Sequence, residues 1–296
     1  MKKLICVYKT ALKGLLSSMP TYLYFAAVTA VGTVYAVYFN VYSGAPSLEY
    51  TMRYMALPIM IFAPLITVGA FSGKGRTDAI LFSLGLSSHS LLFGRMLAVQ
   101  TVGIAPMIPM ALLIPVMAAL GSTEILTSLL ALSWVILFCA AYLASLTAVS
   151  VVCDRPRICA AVSYGVLVIS YLGNLVCSRL PKTSALTLIA FLPIAVLFGL
   201  TVFLLSRKAG QGVLSACAVT VIFSLTCAVS ATAAYNAVHA AYTFLCAPYA
   251  LGALLYGGRI DIFALICLIL HTVFFSALAV IFLEKRFHEP KGGRAI

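Results

Sequence analysis

The sequence predicts an all-α integral membrane protein, a polytopic helix bundle with about eight spans. Of its 296 residues, 63% are hydrophobic and 9% are charged, against roughly 25% charged residues in soluble domains. The 19 Lys and Arg and 7 Asp and Glu are too few to cover a soluble globule of this size. The high hydrophobic content also excludes an intrinsically disordered chain.

Eight long segments contain no Asp, Glu, Lys or Arg, and each can cross a hydrocarbon core of about 30 Å as a helix. A β-barrel is excluded because its strands are about 10 residues long and alternate in polarity. A six-span core, which omits the sixth and seventh segments, is the alternative. The segments are 22–43, 54–71, 97–120, 127–152, 158–176, 184–205, 213–235 and 262–283.

The distribution of Lys and Arg predicts which ends of the spans lie inside the cell. If the N-terminus is cytoplasmic, fifteen of the nineteen basic residues fall on the inner side and four on the outer side. Because membrane proteins concentrate Lys and Arg in cytoplasmic segments, we expect both termini in the cytoplasm. The formal charge of +12 then indicates orientation and an inner surface that faces anionic lipid, and no nucleic acid is expected as a partner.

Residues 1–21 precede the first span and predict an amphipathic interfacial helix. Such a helix can lie on the inner membrane surface with its lysines toward anionic headgroups; the simpler alternative is a positive anchor for the first span. We expect one transmembrane domain over 22–283 and a basic cytoplasmic tail over 284–296. At helical spacing, Leu4, Val7, Leu12, Leu15 and Leu16 alternate with Lys2, Lys3, Lys9 and Lys13.

The loop at 72–90, between the second and third spans, predicts a short cytoplasmic helix. Thr77 can cap its start and place Asp78 at the positive end of the helix dipole. Gly85 is a suitable stop, and Ser87 or Ser88 can cap the next helix. Such a helix would present a rigid surface to a partner below the membrane, and an ordinary connecting loop is the alternative. Its apolar face would carry Ile80, Leu81 and Leu84.

The chain lacks a sequence signature for catalysis or for nucleotide binding. Gly69, Gly73 and Lys74 resemble a phosphate loop only superficially, because that motif needs four residues between its glycines and Ser or Thr after the Lys. Here three residues intervene and Gly75 follows. The four His and seven acidic residues are scattered, so we expect no catalytic residue, no metal and no cofactor on this chain.

Three residues inside the predicted spans are candidates for a transport pathway or a gate. Pro106 and Pro109 interrupt the third span, where proline bends a helix. His271 is the one ionisable residue among Asp, Glu, Lys, Arg and His within the eight segments, and intramembrane ionisable groups often mark function. The alternatives are static packing bends and a His that hydrogen-bonds across helices.

The outer segment at 236–261 predicts a re-entrant or interfacial helix pair. It is too apolar for an open loop, and Pro248, Gly257 and Gly258 interrupt it too much for a straight span. Cys177 and Cys246 both fall on the outer side in this topology, and the sequence leaves open whether they form a disulfide.

Six stretches in order along nearly the whole chain carry a family resemblance. They are Lys3 to Pro20, Pro64–Thr67, Arg76–Leu81, Gly94–Ala98, Gly258–Asp261 and Glu284–Arg286. As an ordered set, they resemble the membrane-spanning permease of a type-2 ABC exporter, most closely the gliding-motility-type permease and its relatives in gut bacteria. The pair of spans at 184–235 resembles the longer members of that family.

The resemblance implies a permease subunit that exports a substrate, with ATP and Mg held by a separate ABC ATPase subunit. It implies that the loop helix is a coupling helix and that a second permease pairs with this chain, as a homodimer or a heterodimer. It also implies a multi-pass location in the bacterial inner membrane. By the same resemblance, the residues that contact the ATPase would be Arg76, Thr77, Asp78, Leu81 and Leu84.

Two other functions stay open at this point. One is a non-transporting membrane subunit that relays ATPase motion to an outer partner. The other is an ion-coupled secondary transporter, although ion coupling generally needs intramembrane carboxylates and the eight segments contain none.

Overall fold

The computed structural model describes residues 2–71, 81, 85–120, 124–153, 155–179, 184–206, 209–256 and 260–288. Within these ranges the regular structure is entirely helical. Seven helical segments there are long and apolar enough to cross a membrane, or eight if one bent pair forms a single span. The prediction of an all-α, polytopic membrane protein is therefore confirmed.

The helices are numbered in chain order. A π-helical turn, Val37–Tyr42, continues α2 without a break. The helices are α1 (Lys2–Leu16), α2 (Met19–Ala36), α3 (Glu49–Phe71), α4 (Ser88–Ile104), α5 (Met107–Ala119), α6 (Ile125–Val152), α7 (Pro156–Arg179), α8 (Ser184–Ser206), α9 (Ala209–Val229), α10 (Ala231–Leu245), α11 (Ala247–Tyr256) and α12 (Ile262–His288).

Seven of the eight predicted spans coincide with helical segments that meet the length and apolarity of a membrane span. The third is longer than predicted, because α4 and α5 together cover 88–119 with a short break between them. The remaining prediction, 158–176, falls in α7, where the apolar stretch that is described runs from Pro156 to Val168. Within 236–261, α10 and α11 bend by 101° at Cys246, and the re-entrant path stays a prediction.

The chain divides into two compact units, residues 1–164 with 251–296 and residues 165–250. In the first unit, α3 and α6 are central: α3 packs against α2 and α6, and α6 also packs against α4, α5 and α12. In the second unit, α8 packs against α9 and α10. The expectation of one transmembrane domain over 22–283 stays a prediction.

Glycines let the helices of the first unit approach one another closely. A Cβ at Gly32 of α2 would lie 2.5 Å from Sδ of Met110 and 3.3 Å from Sδ of Met55. A Cβ at Gly103 of α4 would overlap Cδ1 of Leu143 on α6. Because lipid provides no hydrophobic driving force between helices, small residues at such contacts are a principal means of packing in membranes.

In the second unit, α8 and α9 form an antiparallel hairpin that also depends on glycine. A Cβ at Gly199 would lie 2.7 Å from the carbonyl oxygen of Gly212, and one at Gly212 would lie 2.8 Å from that of Gly199. Farther along the hairpin, the rings of Phe191 and Phe223 stack with their centroids 3.9 Å apart. The two backbones are therefore close enough at the glycine pair that no side chain fits between them.

Candidate functional site

The candidate site lies at one end of the first unit, where three segments distant in sequence meet. We call it the basic end and define it by Lys3, Gly85, His89, Arg95 and Glu284. These residues belong to α1, to the turn before α4, to the start of α4 and to the last turns of α12. All of them lie in segments that the distribution of basic residues predicts to be on the inner side.

At the basic end, α1 lies against α4 through a contact that requires glycine. A Cβ at Gly94 of α4 would lie 2.8 Å from Cγ1 of Val7 and 3.2 Å from the carbonyl oxygen of Leu4. Nearby, the hydroxyl oxygens of Tyr8 and Thr101 are 3.2 Å apart and share a hydrogen bond. The sides of α1 differ: Leu4, Val7, Tyr8, Ala11, Leu12 and Leu15 are buried or half-buried, and Lys3, Lys9 and Lys13 are exposed.

The loop before α4 ends in the geometry of a helix terminus. Leu81 is helical, Gly85 has a φ of +76°, and the N–H of Leu86 donates to the carbonyl oxygen of Leu81 at 3.2 Å. A bond that spans five residues and encloses a left-handed glycine is the Schellman motif that ends helices. The sequence predicts this stop at Gly85, and Gly fits because other residues rarely adopt a positive φ.

The side chain of Lys3 fastens α1 to this helix terminus. Its Nζ donates to the carbonyl oxygen of Gly85 at 2.8 Å, and a positive charge at a helix C-terminus is favourable for the helix dipole. Two residues later, Ser87 caps α4, since its Oγ accepts from the N–H of Ser90 at 3.3 Å. The terminus of one helix and the start of the next are thus only two residues apart.

The first turn of α4 is also linked to the end of α12. Nε2 of His89 and Oε1 of Glu284 are 3.6 Å apart, and both side chains are substantially exposed. Such a pair contributes little to stability, of the order of 0–1 kcal/mol, but it places the two elements in contact. Arg95 is 6% exposed in the same part of α4, so the basic end contains a buried charge as well as surface charges.

The structure describes one of the five residues predicted to contact an ATPase. Leu81 is helical and half-buried, beside the stop at Gly85. The predictions for Arg76, Thr77, Asp78 and Leu84 concern positions outside the described residues. The assignment of all five to an ATPase surface stays a prediction.

The opposite end of the first unit is fixed by buried hydrogen bonds. Asn40, in the π-helical turn, is buried, and its Nδ2 donates to the carbonyl oxygens of Ala45 at 2.8 Å and Ser47 at 2.9 Å. The N–H of Glu124 donates to the carbonyl oxygen of Pro46 at 2.7 Å. Segments predicted to be outer therefore meet one another here, as segments predicted to be inner meet at the basic end.

One of the three predicted pathway residues differs from what the sequence suggested, because Pro109 lies in a first helical turn and does not bend a helix. Pro106 lies at the break between α4 and α5, whereas Pro109 is in the first turn of α5. Proline fits a first turn because the N–H it lacks would have no intrahelical partner there. His271 is buried in α12, with its ring centroid 4.4 Å from that of Phe275. A pathway role for the three residues stays a prediction.

Sequence reasoning missed a set of tyrosines that donate to carbonyl groups just before prolines. The hydroxyl of Tyr24 donates to the carbonyl oxygen of Gly103 at 2.6 Å, three residues before Pro106. In the second unit, Tyr242 donates to that of Ala190 at 2.7 Å, three residues before Pro193.

Two tyrosines donate hydrogen bonds to carbonyl oxygens of α3 in the same way. The hydroxyl of Tyr142 donates to the carbonyl oxygen of Met60 at 3.2 Å, four residues before Pro64. The hydroxyl of Tyr164 donates to that of Ile61 at 2.6 Å. The only trace of these contacts in the sequence is tyrosine within spans, which is equally typical of membrane-interface belts.

Where the structure describes the chain, no group of three or more His, Cys, Asp and Glu is placed to hold a metal ion. The thiol of Cys246 is buried. The basic end itself consists of contacts between helices that are distant in the sequence.

Compared with protein-family models, with curated proteins and with solved structures, the chain has no match. Any likeness to ABC permeases therefore depends on the residues quoted from the sequence.

Proposed function

We propose that this chain is the membrane-spanning permease subunit of an ABC exporter, and that the basic end is its cytoplasmic surface for a separate ATPase subunit. The observation that carries the proposal is the meeting of α1, the helix terminus at Leu81–Leu86 and the end of α12 at one place. A surface that receives a push from a partner needs such connections if the push is to reach the spans.

The contacts define how a displacement would travel. Gly85 is two residues from the cap of α4 at Ser87, so any movement of the Leu81–Leu86 bond and of Gly85 would move α4. Lys3 transmits the same movement to α1, and the pair of His89 and Glu284 transmits it to α12. ATP-driven closure of an ATPase dimer would then bias a two-state change of the spans.

The remaining parts of the proposal rest on the distribution of charge and on the resemblance to the ABC permeases. Both termini lie in the cytoplasm of a bacterial cell, and the chain is located in the inner membrane with a second permease as its partner. On α1, Lys9 and Lys13 are exposed, and the apolar side chains of Ile5 and Leu16 are 47% and 40% exposed. This combination suits a helix that rests on an anionic lipid surface.

Purification with the natural partner tests the proposal. The tagged chain, extracted from its native membrane in mild detergent, should retain an ABC ATPase, and Leu81→Asp should remove it because a carboxylate is costly in an apolar contact. Tyr42→Asp is the matched control, since Tyr42 is 83% exposed near the opposite end of the first unit. Recovery of the chain with no ATPase, or equal ATPase recovery with both variants, would contradict the proposal.

A further inference from the structure

We propose that α3 contains a two-state hinge at Pro64, and that the hydroxyls of Tyr142 and Tyr164 are the latches that hold it in the arrangement described here. The inference concerns the helices of the first unit alone. It is independent of the proposed exporter function, because it requires neither an ATPase nor a substrate.

Pro64 creates the need for an outside donor. Proline has no N–H, so the carbonyl oxygen of Met60, four residues earlier, has no intrahelical donor at its usual position. In a membrane, a freed carbonyl must be satisfied by a neighbouring helix, a side chain or water. The hydroxyl of Tyr142 on α6 occupies that place.

A second donor serves the adjacent carbonyl. Tyr164 on α7 reaches the carbonyl oxygen of Ile61 at 2.6 Å, so two different helices hold two consecutive peptide groups of α3. On the other side of the proline, Thr67 Oγ1 donates at 3.0 Å to the carbonyl oxygens of both Ala63 and Pro64. Such back-bonding by Thr slightly weakens a helix and often bends it, so the helix is loosened around the proline and the turn before it is held by its neighbours.

This arrangement is what a hinge requires. The joint lies at the residue where the intrahelical ladder is interrupted, and the turn before it is held by bonds from other helices that can be released. One hydrogen bond of this kind changes a population by about two- to tenfold. Two such bonds are therefore enough to keep the released state a minor one, and few enough for a partner or ligand to shift it.

The same donor type recurs at two further prolines, which argues against coincidence. Tyr24 reaches the carbonyl oxygen three residues before Pro106, and Tyr242 the one three residues before Pro193. Pro64 differs from both because two tyrosines from two helices converge on it. Release of α3 at Pro64 therefore requires that two hydrogen bonds, from two different helices, be broken.

Hydrogen–deuterium exchange of the purified full-length chain in nanodiscs tests the hinge. Tyr142→Phe removes only the hydroxyl, and we expect it to raise exchange of the amides in 60–71 by about two- to tenfold while peptides of α2 and α5 are unchanged. Tyr142→Phe combined with Tyr164→Phe should raise it further. Tyr54→Phe, which removes a hydroxyl elsewhere on α3, is the matched control and should have no such effect.

Pro64→Ala makes the test specific. It restores an N–H for the carbonyl oxygen of Met60, so Tyr142→Phe should have little effect in that background. An equal increase in both backgrounds, or an increase spread over all helices, would overturn the hinge and leave a static packing contact. If Tyr142→Phe does not fold, Tyr164→Phe, whose side chain is only half-buried, is measured with Pro64 in place. It should raise exchange in 60–71, and unchanged exchange there or an increase spread over all helices would overturn the hinge.

Discussion

The first unit contains two spans that are mostly buried, and the second unit contains none among its described spans. In the first unit, 67% of the most apolar stretch of α6 and 56% of that of α3 are buried, and its outer spans fall to 22% for α2 and 28% for α12; in the second unit the values are 28% for α8 and 17% for α9. The helices of both units are apolar enough to span a membrane. Hydrophobicity therefore does not determine which helices become buried.

The difference follows from the groups that join helices. The first unit has hydrogen bonds from Tyr24, Tyr142, Tyr164 and Gln100 to carbonyl groups of other helices, together with close glycine contacts. In the described part of the second unit, Tyr242 donates to the carbonyl oxygen of Ala190, and Tyr249 of α11 shares a hydrogen bond with His239 of α10. Because lipid is as apolar as the side chains, close packing and polar contacts supply much of the association between membrane helices.

The largest effect is expected where the second unit depends on its glycine pair. Gly212→Val would place side-chain atoms against the backbone of α8, which cannot shift as a flexible side chain can. We expect the second unit to lose stability by an amount at or above the upper end of the range typical of overpacking, which is about 1–3 kcal/mol. The loss should appear as protease cleavage within 165–250 while the first unit stays protected.

The control for that variant is Gly210→Val, two residues away on the same helix. A Cβ there has no neighbour within 4 Å, so the change in helix propensity is the same and the clash is absent. Equal protease sensitivity of the two variants would show that the hairpin does not depend on the contact between Gly199 and Gly212.

A smaller effect is expected in the first unit at Gly103. The methyl group of Gly103→Ala would meet Cδ1 of Leu143, and its Cβ would lie 3.1 Å from Sγ of Cys139, but both are side chains that can partly adjust. We expect the free energy of unfolding to fall by about 1–3 kcal/mol, which is measured as a lower Tm in detergent. Gly69→Ala, also in the first unit and with open space around its Cβ, should leave Tm unchanged or raise it.

The smallest effect is expected when one tyrosine in each unit loses its hydroxyl. Tyr24→Phe and Tyr242→Phe each remove a single hydroxyl bond to a buried carbonyl, at about 1 kcal/mol. We expect Tyr24→Phe to be the better tolerated, because the other contacts of the first unit hold α2 in place. A lower Tm for Tyr24→Phe than for Tyr242→Phe would reverse the ranking of the two units.

The sequence predicted features whose cause is local. Segments without charged residues predicted the spans. A glycine with polar neighbours predicted the helix stop at Gly85. A serine three residues before an N–H at a helix start predicted the cap at Ser87. It missed contacts between residues far apart in the chain, such as Val7 against Gly94 and Tyr142 against Met60. A span proline shows that a donor is needed, but only the packing of helices shows which residue supplies it.

The position of Pro109 illustrates the same limit. The sequence placed it inside a span, where proline bends a helix, but α5 begins at Met107 and leaves Pro109 in a first turn. Whether a proline bends a helix or begins one depends on where the chain breaks, and here the break lies at Ala105 and Pro106.

The central claim is that the basic end faces the cytoplasm, and side-specific labelling of intact cells tests it most directly. In a background with the other cysteines replaced, Cys6 on α1 is exposed at the basic end, and Ser43→Cys is exposed at the opposite end. A membrane-impermeant maleimide should label Ser43→Cys from outside, and Cys6 only after the membrane is opened. Labelling of Cys6 in intact cells, with Ser43→Cys protected, would contradict the orientation and the ATPase surface that depends on it.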